Sequence, residues 1–254
     1  MNAMPPRNGP RPLAVGATAA MAWRLVFDSR DDLLRIAAVP MLITYVLSLA
    51  LRAWQSDPVF FLVVILDWAP VTLFGVAWLR FLLLHGNAGH TGLTTQWTPR
   101  ETKFFGRVLL INVGTGAAAG LSAGVVALVL GVSLENDGSL LLVAAVAGIV
   151  ALYLVVRLSL VLPATAIDRT YGFRDSWRQT AGCHLQLLFA MLLANLPAGL
   201  ALILLEATGL AQFAPYTFML VTDAFGYVVF AASMAVLAVA FRASGGQPLS
   251  VVSG

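Results

Sequence analysis

Residues 139–163 read SLLLVAAVAGIVALYLVVRLSLVLP, 25 positions with a single charged residue, Arg157. At about 1.5 Å per helical residue such a run crosses the roughly 30 Å of a bilayer's hydrocarbon. Five further runs of this kind lie near 33–52, 59–84, 108–131, 185–206 and 217–241. A water-soluble fold has no place for six of them, because its surface must stay polar. Composition agrees: 59% of residues are hydrophobic and only 11% charged, against roughly 25% charged in an average soluble domain. The expectation is an all-α polytopic membrane protein, with six transmembrane helices and short amphipathic helices at the interface. Pro40 and Pro197 fall inside spans one and five, where a membrane helix tolerates proline at the cost of a kink.

The charges sort by side. Arg7, Arg11, Arg24, Arg30 and Arg35 precede or open span one; Arg80, Arg100, Lys103 and Arg107 flank the second-to-third link. Arg169, Arg174 and Arg178 occupy the fourth-to-fifth link, and Arg242 follows span six. The alternate links hold Asp57, Glu135, Asp137 and Glu206, with Arg52 the basic residue near them. By the positive-inside rule both termini are expected in the cytoplasm, in a multi-pass protein of the cell inner membrane. Residues 1–16 read as a disordered cytoplasmic tail without the architecture of a cleavable signal peptide. Residues 17–242 then form the membrane domain, and 243–254 a short cytoplasmic tail. The net charge of +3 is placed beside apolar spans, where anionic headgroups attract it, so membrane lipids and not nucleic acid are the expected partners.

Trp23, Trp97 and Trp177 each stand 10 residues before an apolar run. This spacing suggests a threefold repeat of a surface helix followed by a transmembrane hairpin; the preference of tryptophan for the interface explains it equally well. Gly116, Gly120 and Gly124 recur every four residues along one face of span three, with Ala144, Gly148 and Ala151 as a counterpart in span four. Such small residues let helix backbones approach closely. Packing within one bundle is the leading expectation, with a seam between two copies and a substrate-lining hinge as the alternatives; a homo-oligomer or other membrane proteins would be the partners beyond lipid.

Two aspartates lie within spans. Asp67 sits about 12 Å along span two and Asp223 about 9 Å along span six, both counted from the side opposite the arginines. An ionised carboxylate facing lipid at that depth costs at least about 3 kcal/mol, so both should face the bundle or a water-filled pocket. If adjacent, their repulsion would let the pair share one proton. As polar glue they would bond to Thr72, Thr217, Thr222 or Asn195; as a functional site they would face a proton or a cation. Arg157, near the end of span four, has three readings: an anchor of the following link through Asp168 or Asp175, a snorkel to lipid phosphate, or a substrate contact. Pro163 would aid the first by ending the helical ladder.

The run RLSLVLPATAIDRTYGFRDSWRQTAG resembles the signature of a group of bacterial six-span inner-membrane proteins. The group includes the YciC-like proteins and the membrane domain attached to some glycerophosphoryl diester phosphodiesterases. The matching elements are Arg157, Leu162–Pro163 and Ser176–Trp177, followed by Thr180 and Gly182. The resemblance implies an all-helical membrane module connected with lipids or membrane-protein partners. It transfers no catalytic residues, because the phosphodiesterase chemistry belongs to a soluble domain with no counterpart in this sequence.

Chemistry-bearing motifs are otherwise sparse. His85 and His90 in HGNAGH lack the third and fourth ligands of a defined zinc site. Asp28, Asp31 and Asp32 read more readily as a solvated helix face than as a cation site. Cys183 is the single cysteine. No phosphate loop, dinucleotide fingerprint or nucleophile elbow is present. The expectation is therefore a non-catalytic integral membrane module with a structural, assembly or lipid-associated role, without cofactor, metal or catalytic site. The alternative is a small secondary transporter or channel that uses Asp67 and Asp223.

Overall fold

A computed structural model describes residues 13–53, 57–84, 96–130 and 137–244. Most of both expected tails and the link with His85 and His90 fall outside them. The chain is a polytopic all-α membrane protein, in which six helices are long and apolar enough to span a bilayer. The helices of the described residues are, in order, α1 (Val15–Asp28), α2 (Arg30–Ala53), α3 (Asp57–Leu83), α4 (Pro99–Leu130), α5 (Asp137–Leu158), α6 (Val161–Ala166), α7 (Phe173–Thr180), α8 (His184–Ala207), α9 (Leu210–Phe213) and α10 (Pro215–Ala243). The long helices α2, α3, α4, α5, α8 and α10 are the spans.

The bundle is organised around α10 and α3. Within its most apolar stretch α10 is 56% buried, whereas α4 is only 11% buried and displays Leu121, Leu128 and Val129 outward. Outward-facing leucine and valine are the natural surface of a protein whose solvent is hydrocarbon. The α3–α10 seam holds the largest side chains, with Phe74 and Trp78 fully buried. Phe74 meets Tyr227 edge-on at 5.0 Å, and the Trp78 indole N–H donates to the Ala231 carbonyl at 3.0 Å. Gly75 makes room for this packing. A Cβ there would lie 3.1 Å from the Phe230 ring and 3.3 Å from that of Phe104.

The expected surface helices have different fates. The first, α1, packs its buried face of Thr18, Ala19, Ala22 and Val26 against α8 and α10. Trp23 fixes it there by donating to the Ala194 carbonyl at 2.9 Å. The second does not exist as a separate element. Span three was expected to begin near 108, but α4 starts at Pro99 and takes Arg100, Lys103 and Arg107 into its first turns. The cause is local. Thr98 precedes Pro99, and the Glu101 carboxylate accepts from the Thr98 backbone N–H at 2.9 Å and from its hydroxyl. Proline at the first helical position and an acid at the third are strong initiation signals. The third surface helix is α7, which carries Trp177. The three tryptophans therefore share a spacing but not a structural role.

The glycine stripe is not packed inside the bundle. A Cβ added to Gly116, Gly120, Gly124 or Gly148 would meet no atom within 4 Å. The α4–α5 hairpin closes through other residues, and α4 turns its small face outward.

Candidate functional site

Span four breaks between Arg157 and Pro163. The helix α5 ends at Leu158, and α6 begins at Val161. Pro163 has no N–H to offer the Ser159 carbonyl, which instead accepts from Leu162 at 3.0 Å in a tighter turn. The proline thus lies inside α6, after the break rather than at it. The Arg157 carbonyl, released from the ladder, accepts from Ser176 Oγ at 2.8 Å and Thr180 Oγ1 at 3.3 Å. Those hydroxyls pin α7 beneath the break.

Asp168 closes α6. Its backbone is left-handed (φ 57°), the Asp168 N–H donates to Thr165 O at 3.1 Å, and the Arg169 N–H donates to Ala164 O at 2.9 Å. This is a Schellman ending, with aspartate at the position that glycine usually fills. The expected Arg157–Asp168 pair does not form, because the turn aims Asp168 toward α3 and α4. Arg100 grips both carboxylate oxygens, with Nε–O distances of 3.0 and 2.8 Å and Nη2–O of 2.7 Å. Arg80 approaches at 3.5 Å while donating to the Ala166 carbonyl at 3.0 Å. Arg107 bonds Thr165 and the Val161 carbonyl. Three arginines thus converge on the C-terminal end of α6, where a helix dipole favours positive charge.

The Arg100 guanidinium holds the Asp168 carboxyl below its ordinary value, with smaller help from Arg80 and Lys103. A carboxyl more acidic in the fold than in the unfolded chain stabilises above its unfolded value of about 3.9 and loses that effect as pH falls further. The clasp is therefore expected to be intact at neutral pH and to open only below about pH 4. With Asp168 more than half exposed, salt should weaken it as well. Asp168→Gly and Asp168→Asn keep a left-handed turn and lose only the clasp, whereas Asp168→Ala strains the turn too. Thermal unfolding should rank alanine lowest, by about 1 kcal/mol below glycine. Equal unfolding of the three variants would contradict this turn-plus-clasp assignment.

The second polar constellation lies toward the opposite end. Asp67 on α3 and Asp223 on α10 come within electrostatic range of each other, as expected if the two spans are neighbours. Thr44 and Ser48 of α2 bring hydroxyls into reach of Asp67 and Asp223 respectively. Tyr227 shares a 2.9 Å hydrogen bond with Thr44. A cavity of about 250 Å³ opens beside Asp223 and Tyr227, with Thr44, Val71, Thr222, Gly226 and Phe230 completing its lining. One oxygen of each carboxylate, Asp67 Oδ1 and Asp223 Oδ2, is buried without a hydrogen-bond partner, as is the Thr72 hydroxyl.

Of the partners expected of polar glue, Asn195 and Thr222 are engaged elsewhere. Asn195 bonds Ser233 at 3.0 Å and the Met191 carbonyl at 2.8 Å, and Thr222 donates to Phe218 O at 2.8 Å. Thr217 is exposed. Sequence reasoning missed Thr44, Ser48, Tyr227 and Pro70. The signal was available in the spacing: Thr44 and Ser48 are four apart, as are Asp223 and Tyr227, which places each pair on one helix face. Pro70, inside α3, leaves the Leu66 carbonyl without its helical donor one residue before Asp67.

No family model, curated protein or solved structure matches this chain. Among the described residues, no group of three or more histidine, cysteine, aspartate or glutamate side chains could hold a metal ion.

Proposed function

We propose that the protein is a small secondary transporter, in which Asp67 and Asp223 exchange a proton for a monovalent cation. The single observation behind this reading is a pair of carboxylates within electrostatic range, each with a buried oxygen left without a partner, one of them lining a cavity. Buried polar atoms are nearly always satisfied, and intramembrane acids that are not tied down mark ion or proton pathways. A cation entering the cavity would find the Asp223 carboxylate and the hydroxyls of Thr44 and Tyr227, with the Asp67 charge within electrostatic range. As it arrives, the shared proton leaves a carboxyl for water, so the net charge of the site changes little. The cavity has room for a metal ion with some water or for a small organic ammonium.

Proteoliposomes carrying a pH-sensitive dye test this reading. Imposed gradients of sodium, potassium or tetraethylammonium are expected to drive proton movement in at least one case, and Asp67→Asn/Asp223→Asn to abolish it. Wild-type vesicles no leakier than empty ones with all three cations would contradict it.

The arginine pattern supports an orientation with the α6 clasp and both termini in the cytoplasm. Reporter fusions should then be active at either terminus only with a cytoplasmic reporter; activity of a periplasmic reporter at either end would reverse the assignment. The reading as a structural or lipid-associated module has its own support at the arginine-rich end. Arg157, Ser176 and Thr180, part of the run that resembles the YciC-like group, make one hydrogen-bonded unit there. We extend the resemblance to a proposal of membership on that physical ground.

A further inference from the structure

We propose that Arg157 holds a phosphate-type anion at the arginine-rich face of the membrane, at a site separate from the carboxylate pair. The arginine is 6% exposed. Its guanidinium lies 4.2 Å over the Trp177 ring and 5.9 Å from that of Tyr153. Its Nε is buried without a hydrogen-bond partner, and no carboxylate among the described residues forms an ion pair with it.

The other partly buried arginines are different. Arg80 and Arg100 meet Asp168, Arg107 meets Thr165, and Arg242 donates to the Leu82 carbonyl. Each has an oxygen acceptor in the fold, and Arg157 has rings. A guanidinium cannot shed its proton to escape burial. Stacking on aromatic faces offsets part of the desolvation, but it leaves the in-plane N–H donors unused. An anion that accepts in that plane completes the site, and the planar fork suits the oxygens of a phosphate.

Three further features make this a built site. Hydrogen bonds from Ser176 and Thr180 to the Arg157 carbonyl fix the backbone from which the side chain springs. His184 stands edge-on to the same Tyr153 ring, at 5.7 Å, and its Nδ1 is likewise buried without a partner. Tyr153 and Trp177 remain 40% and 38% exposed, as expected of aromatics at headgroup depth. The anion is therefore the phosphate of a lipid headgroup or a soluble phosphate reaching the same level.

Native mass spectrometry of the full-length protein in detergent, with phosphatidylglycerol added, tests the assignment. Wild type is expected to retain the lipid, and Arg157→Gln to retain at least tenfold less. Arg157→Lys keeps the charge but lacks the fork, so it should lose retention several-fold; it carries the test if the glutamine variant fails to fold. Arg174→Gln, at an exposed position on α7, should behave as wild type. Displacement of the lipid by inorganic phosphate would identify a soluble anion as the natural occupant, and resistance to displacement a headgroup; either supports the site. Wild-type retention by Arg157→Gln or Arg157→Lys, or an equal loss in Arg174→Gln, would overturn it.

Discussion

Replacing Asp67 or Asp223 by asparagine is expected to stop cation-driven proton movement and, at the same time, to make the bundle harder to unfold. The two effects point in opposite directions, and that divergence separates a functional site from polar glue. A carboxylate that clamps helices together loses stability when it becomes an amide. A carboxylate with one buried oxygen unpartnered, within electrostatic range of a second acid, is held at a cost that the amide removes. The expected gain is about 1–2 kcal/mol per substitution, or a rise of a few degrees in the unfolding midpoint. Thermal unfolding in detergent and flux in vesicles, measured on the same preparations, give both readouts. A lower midpoint with flux preserved would return both residues to a structural role.

Trp78→Ala is expected to destabilise by about 3–5 kcal/mol, the range for emptying a large buried aromatic site. The indole is fully buried, stacks on Phe81 at 5.4 Å, and anchors α3 to α10 through the Ala231 carbonyl. The consequence reaches the carboxylates because helical spacing aligns them with this anchor. Asp67, Val71, Phe74 and Trp78 follow one face of α3, while Asp223, Tyr227 and Ala231 follow one face of α10. Loosening the seam at Trp78 should therefore part the two acids and lower flux even in protein that remains folded. Trp78→Phe keeps most of the volume and loses mainly one hydrogen bond, so it should cost only about 1 kcal/mol. A Trp78→Ala variant as stable as wild type would show that the seam lies elsewhere.

The spans were legible because hydrocarbon demands length and apolarity, properties that any single sequence displays. Their packing was not. The stripe of Gly116, Gly120 and Gly124 has the spacing of a helix contact, yet its face in the bundle is open; spacing identifies a smooth face without saying what covers it. The start of α4 was readable in Thr98, Pro99 and Glu101, but the apolar run beginning ten residues later masked it. Similar depth along two spans identified Asp67 and Asp223 as candidates. Their meeting depended on α3 lying against α10, a long-range arrangement that local periodicity does not encode. The Arg157–Asp168 expectation failed for a definite reason. A left-handed residue turns the chain, and it directs the carboxylate to Arg100 across 68 residues of sequence.

An infrared difference spectrum of the protein in lipid, recorded as cation is added at constant pH, tests the coupling of proton to cation most directly. In wild type the carbonyl band of a protonated carboxyl is expected to disappear, and both Asp67→Asn and Asp223→Asn are expected to lack this change. A carboxyl region unchanged by sodium, potassium and tetraethylammonium, or a change that survives both substitutions, would contradict it.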